Sequence, residues 1–103
     1  MSFHVYILRC SDNSYYTGKA KDLDKRLADH VEGIGSDYTR RRRPVECVWS
    51  EEFPDDEQAF DVERQIKGWS RGKKEALIRG DFKLLHELAK STEKKKKERS
   101  KKR

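Results

Sequence analysis

Residues 4 to 9, HVYILR, are rich in strand formers and predict a first strand. The polar cluster Ser11-Asp12-Asn13-Ser14 predicts a turn, and Tyr15 to Lys19 a second, hairpin-related strand. The apolar period then lengthens. Leu23, Leu27 and Val31 form a helical stripe over residues 23 to 32, with Asp22 placed to cap it and Gly33 to end it. A glycine-containing basic loop, GIGSDYTRRRRP, follows, and VECVWSEEF after Pro44 predicts a third strand. Asp55 and Gln58 have capping spacing for a second helix, whose stripe is Ala59, Val62, Ile66 and Trp69. Shorter helices are expected at about 71 to 79 and 82 to 90, separated by Gly80-Asp81. The order ββαβααα, without internal repeat, implies a small α/β (α+β) domain on a three-stranded sheet.

Composition narrows the class. A chain of 103 residues has room for one core, and with 33% hydrophobic and 43% charged residues that core is thin. Ten aromatic residues within the first 82 positions argue for a packed fold all the same. No apolar run approaches the roughly 20 residues that span a bilayer, and MSFHVYILRC lacks the basic start of a signal peptide, so a cytoplasmic protein is expected. Cys10 and Cys47 fit no metal-ligand pattern and are expected as reduced thiols rather than a disulfide.

The net charge of +6 hides a division. KKKKERSKKR, residues 94 to 103, holds eight Lys/Arg and one Glu, leaving 17 basic and 18 acidic side chains for the remainder. Residues 1–92 are therefore expected to be the domain, and 93–103 a disordered basic tail. Within the domain, charge is sorted locally into Arg40–Arg43 and the acidic stretch from Glu51 to Glu57. Any grip on nucleic acid would rest on Arg40, Arg41, Arg42 and Arg43 together with the tail.

Two helical pairs carry candidate chemistry. Arg26 and His30, at i and i+4, share a face bordering the stripe, either as substrate-facing groups or as a snorkelling arginine and a solvated histidine. Glu63 borders the second stripe, either as the lone carboxylate that Mg²⁺ accepts or as a surface partner of Lys67. Phosphate-loop, zinc-protease, paired-cysteine and nucleophile-elbow motifs are absent.

Several motifs in order resemble the GIY-YIG nuclease superfamily. Val5-Tyr6-Ile7 stands for its first motif, with Val in the glycine position, and Tyr16-Thr17-Gly18 for its second. YTGKAKDLDKRL resembles the same segment of UvrC, the bacterial excision-repair nuclease subunit. Residues 3 to 80 resemble small stand-alone bacterial proteins of this group, including H..G.G..YTR...P and ERQIKGWSR..K.AL. The resemblance implies a three-stranded antiparallel sheet flanked by helices, and phosphodiester hydrolysis assisted by one Mg²⁺ or Mn²⁺. It also implies a nucleic-acid substrate, DNA before RNA, acted on by a monomer or weak dimer, in DNA repair or nucleic-acid processing. Tyr6 and Tyr16 correspond to the motif tyrosines, Gly18 to the motif glycine, Arg26 to the helix arginine, His30 to the tyrosine-or-histidine position and Glu63 to the metal-binding glutamate. Lys19 matches UvrC-like members, and no asparagine follows Glu63. The alternative is a module that keeps the fold and binds nucleic acid without cleaving it.

The resemblance also constrains strand register. An even turn within SDNS would pair Arg9 with Tyr16 and put Tyr6 and Tyr16 on opposite faces. A bulge or odd-length loop between Arg9 and Tyr16 is therefore expected, for example one that sets Cys10 opposite Tyr16.

Overall fold

The computed structural model describes residues 2–81 and 83. The helix expected at 82–90 falls almost wholly outside that range, and the basic tail entirely so. Two compact units are present, one ending at Gly68 and one beginning at Trp69.

The first unit is built on a three-stranded antiparallel sheet of order β2-β1-β3, with β1 Phe3–Arg9, β2 Tyr15–Ala20 and β3 Glu46–Phe53. Val5, Tyr6, Ile7 and Leu8 on the central strand are all at most 1% exposed. Four consecutive buried residues mean that both faces of β1 are covered, which is why Val5 to Leu8 form a continuous apolar run rather than an alternating one. Helix α1, Leu23–Glu32, covers the Tyr6 face, since its His30 ring meets those of Tyr6 and Tyr16. Helix α3, Asp56–Lys67, packs on β1 and β2 and meets Lys19, which leaves the sheet opposite to Gly18.

Local capping accounts for the helix limits. The Asp22 carboxylate accepts from the Lys25 amide at 3.1 Å, Asp55 accepts from Gln58 at 2.8 Å, and Gly33 ends α1 at φ 87°. The GIGSDYTRRRRP segment is not wholly loop. It contains a four-residue helix α2, Asp37–Arg40, capped by Ser36.

The hairpin loop is odd, comprising residues 10 to 14, and Asn13 supplies its left-handed turn at φ 66°. The register shift runs opposite to the example drawn from sequence. Arg9 lies across from Tyr15 and Leu8 from Tyr16, so Tyr6, opposite Gly18, shares its face with Tyr16. The irregularity in the sheet lies instead between β1 and β3, where Ile7 faces Trp49 and Leu8 faces Cys47, leaving Val48 as the extra residue.

Helix α1 also corrects the expected stripe. Val31 is 64% exposed, whereas His30 is wholly buried. The helix is turned toward the residue that finds hydrogen-bond partners inside, because burying a polar ring is costly only while it stays unpaired.

In the second unit, α4 spans Arg71–Arg79, between a Ser70 cap and Gly80 at φ 73°. Cys10 and Cys47 are both free thiols.

Candidate active site

Tyr6, Tyr16 and His30 form one aromatic cluster. Ring centroids lie 6.4 Å apart for Tyr6–Tyr16, 5.6 Å for Tyr6–His30 and 5.3 Å for Tyr16–His30. The strand register makes this possible, and β2 places Tyr15 on the other face. Gly18 is required by close approach. A Cβ there would fall on the Tyr6 hydroxyl and within 2.5 Å of its ring Cζ. Gly35 does the same for His30, where a Cβ would fall on Nδ1 and within 2.7 Å of Cε1. The tyrosine–histidine pair is thus clamped between two bare backbone positions.

Hydrogen bonds join the cluster into a chain. The Tyr6 hydroxyl lies 2.7 Å from His30 Nε2, and His30 Nδ1 lies 2.9 Å from Thr39 Oγ1. Thr39 Oγ1 in turn lies 2.8 Å from Ser36 Oγ and donates to the Ser36 carbonyl at 3.3 Å. Tyr6, His30 and Thr39 are each 0% exposed. Burial pushes the Tyr6 phenol up to about 12, against the opposing pull of the adjacent Arg26 guanidinium. Burial, reinforced by Arg26, holds His30 below its ordinary value, so the ring is neutral at neutral pH. A protonated phenol therefore faces a neutral imidazole.

Arg26 donates to the Gly35 carbonyl at 3.0 Å and stays firmly charged, chiefly through the Tyr6 hydroxyl beside it. It also lines an open cleft of about 320 Å³ with Lys19, Lys21 and Lys25, the carboxylates of Asp22 and Asp29, and Ala20. Lys19 pairs with Asp56 at 2.5 Å and lies over the Phe60 ring. Glu63 has a side chain only 15% exposed and pairs with Lys67 at 3.5 Å. Its charge is near enough to Tyr6 to help keep the phenol protonated. Glu63 is therefore the Lys67 partner that the helical spacing allowed, with a charge that also bears on Tyr6.

Among the described residues no three His, Cys, Asp or Glu side chains gather as a metal cage. A single carboxylate such as Glu63 fits Mg²⁺ or Mn²⁺, which complete their shells with water and substrate oxygens, better than it fits an ion needing several protein ligands.

The arginine run is largely engaged within the fold. Arg42 donates to Asp12 at 3.0 Å and to the Tyr38 carbonyl at 3.1 Å, and its guanidinium lies 3.8 Å from the Tyr38 ring centroid. Arg43 donates to the carbonyls of Arg40 and Val31, and Arg40 pairs with Asp37 at 3.2 Å. The Arg42–Asp12 bond ties the end of α2 to the hairpin loop, as does the Ser11 amide donating to the Arg42 carbonyl at 2.9 Å. Tyr38 stacks on Tyr16 at 5.9 Å. Sequence reasoning gave no role to Ser36, Tyr38 or Thr39, although Ser36 and Thr39 have the spacing of an N-cap and its bonded amide.

The GIY-YIG catalytic domain family matches the chain over residues 2–76. The UPF0213 protein SSP2268 of Staphylococcus saprophyticus is 47% identical over 75 residues, covering 73% of this chain and 92% of that protein. The UPF0213 protein BH0048 of Halalkalibacterium halodurans is 45% identical over 78 residues, covering 76% and 83%. Its solution NMR structure, described as from Bacillus halodurans, matches with a TM-score of 0.52 at 44% identity, over 77% of this chain and 84% of that one. The solution NMR structure of EF2693 from E. faecalis matches with a TM-score of 0.56 at 34% identity, over 82% and 88%. Both structures agree with the antiparallel three-stranded fold and its flanking helices. Matched by the family over residues 2–76 and by relatives 47% and 45% identical over most of its length, the chain belongs to the GIY-YIG catalytic domain family, a family of nucleases.

Proposed function

We propose that the protein is a metal-dependent endonuclease that hydrolyses phosphodiester bonds in DNA. The observation that carries this reading is the 2.7 Å contact between a protonated Tyr6 and the neutral His30 Nε2, with Arg26 beside it. A phenol with a pKa of about 12 is no base at pH 7 until something accepts its proton. His30 is that acceptor. Tyr6 takes a proton from the attacking water while its own proton passes to His30. The water oxygen bonds to phosphorus, the bond to the leaving sugar oxygen breaks, and solvent protonates that oxygen. Arg26 neutralises charge developing on the non-bridging oxygens.

At rest burial raises the phenol and lowers the imidazole, so passing the phenol proton to His30 is uphill and becomes favourable only as the water gives up its own proton. A Mg²⁺ or Mn²⁺ ion held by Glu63 would polarise the phosphate and stabilise the leaving oxygen. The cleft lined by Lys19, Lys21 and Lys25 supports the reading by offering cations to phosphates flanking the scissile bond. Arg40–Arg43 and the basic tail then act as supplementary contacts to nucleic acid. The same reading gives a cytoplasmic monomer or weak dimer serving DNA repair or nucleic-acid processing.

The test is incubation of labelled single-stranded, duplex and branched DNA and RNA with Mg²⁺ or Mn²⁺, beside Glu63→Gln. We expect cleavage by the wild type and at least ~100-fold less by the variant, with fold and binding retained. Unchanged cleavage by the variant would remove Glu63 from the site. Binding without cleavage by the wild type would leave a binding module in place of an enzyme.

A further inference from the structure

We infer that Thr39, anchored by Ser36 at the start of α2, is a positioning residue that selects the His30 tautomer and thereby makes Nε2 the acceptor of the Tyr6 proton. The inference rests on the hydrolytic reading for its consequence, whereas its structural half, the tautomer, is tested without any cleavage assay.

A threonine hydroxyl has one proton to give. Thr39 Oγ1 stands 3.3 Å from the Ser36 carbonyl, an oxygen that can only accept, so Thr39 is the donor in that bond. Ser36 Oγ stands 2.8 Å from the same oxygen, so Ser36 offers the Thr39 proton two acceptors against one at His30, and we assign Thr39 Oγ1 as the acceptor from His30 Nδ1 at 2.9 Å. The ring proton therefore resides on Nδ1, and Nε2 presents a lone pair to the Tyr6 hydroxyl at 2.7 Å. All donors point the same way: Tyr6 to His30, His30 to Thr39, Thr39 to Ser36. The bare Cα of Gly35 lies against Nδ1 and lets the backbone close over that side of the ring.

This direction matters for the reaction. The opposite tautomer would aim an N–H at the Tyr6 oxygen, and His30 could then take no proton from it. When His30 accepts the phenol proton it becomes an imidazolium that both burial and Arg26 oppose. Thr39 Oγ1 is an acceptor already in place for the strengthened Nδ1–H dipole. Thr39 touches neither substrate nor Tyr6 and acts only through His30. Ser36 also caps α2, its Oγ accepting from the Thr39 amide at 3.2 Å, so one short helix sets the position of the hydroxyl that orients the ring.

Thr39→Val keeps the shape and deletes the hydroxyl, whereas Thr39→Ser keeps the hydroxyl. Long-range ¹H–¹⁵N correlation spectra of the ligand-free proteins report the His30 tautomer, and the backbone amide spectrum reports the fold. We expect the Nδ1–H tautomer in the wild type and in Thr39→Ser, and its loss in Thr39→Val. For cleavage, kcat should fall at least ~10-fold in Thr39→Val with KM unchanged, and recover to within ~3-fold of wild type in Thr39→Ser. A wild type with its ring proton on Nε2 overturns the inference even if the protein is a nuclease. So does a Thr39→Ser protein that is folded yet as slow as Thr39→Val. If the wild type shows the Nδ1–H tautomer and cleaves nothing, the hydrolytic reading fails while the assignment of Thr39 as the tautomer anchor holds.

Discussion

Acidification should uncover His30 through stability as well as through activity. In the unfolded chain an imidazole titrates near pH ~6.5, whereas burial and Arg26 depress the His30 value in the fold. The native state therefore prefers the neutral ring. Its contribution is fully present above pH ~6.5 and is lost as pH falls from there toward the folded value, where the unfolded chain binds the extra proton. The slope approaches 1.4 kcal/mol per pH unit, so at pH 5 a single imidazole lowers stability by up to about 2 kcal/mol. His30 is 0% exposed, so solvent screening does not erode that figure. The assay is urea unfolding of the wild type and His30→Gln at several values between about pH 7.5 and pH 5. His4, His86 and the carboxylates are common to both proteins and largely cancel in the difference. At pH 7.5 the variant should be less stable by about 1–3 kcal/mol, because Tyr6 and Thr39 each lose a buried partner. On acidification the wild-type advantage should shrink by about 1–2 kcal/mol. An advantage that grows would mean that the imidazolium is the native form, and one that stays level that burial does not disfavour it; either would overturn the assignment of His30 as a ring held neutral by the fold.

Two further substitutions probe the packing around the site. Gly18→Ala should cost about 1–3 kcal/mol in chemical denaturation and depress cleavage, since the new methyl displaces a wholly buried Tyr6, while Gly72→Ala, whose Cβ meets only Ser70 Oγ at 4.0 Å, should be neutral or slightly stabilising. Equal stabilities for the two variants would show that the close approach at Gly18 is not a constraint. Thr17 Oγ1 is buried without a hydrogen-bond partner among the described residues, so Thr17→Val should leave the thermal midpoint unchanged or raise it, by up to about 1 kcal/mol of stability; a loss greater than that would reveal a partner for the hydroxyl.

What the sequence determined by itself was the local structure. Asp22 and Gly33 set the limits of α1 at Leu23 and Glu32, and Ser70 and Gly80 those of α4, because capping bonds join residues three or four apart and depend on little else. The motif spacing likewise showed that Tyr6 and Tyr16 could meet only across an odd loop, since side chains alternate along a strand. Only the tertiary structure decided which way the register slipped, because loops that pair Leu8 or Cys10 with Tyr16 satisfy the same alternation. It also decided the rotation of α1. A stripe of Leu23, Leu27 and Val31 counts transfer from water and cannot include hydrogen bonds from Tyr6 and Thr39, residues 24 and 9 positions away, that let His30 displace Val31 from the interior. The arginines followed the same rule: their charge was legible, but Arg42 was drawn toward Asp12, across 30 residues of sequence, only once the chain had folded. Contacts between distant residues depend on the path of the whole chain, and no local pattern of residues encodes that path.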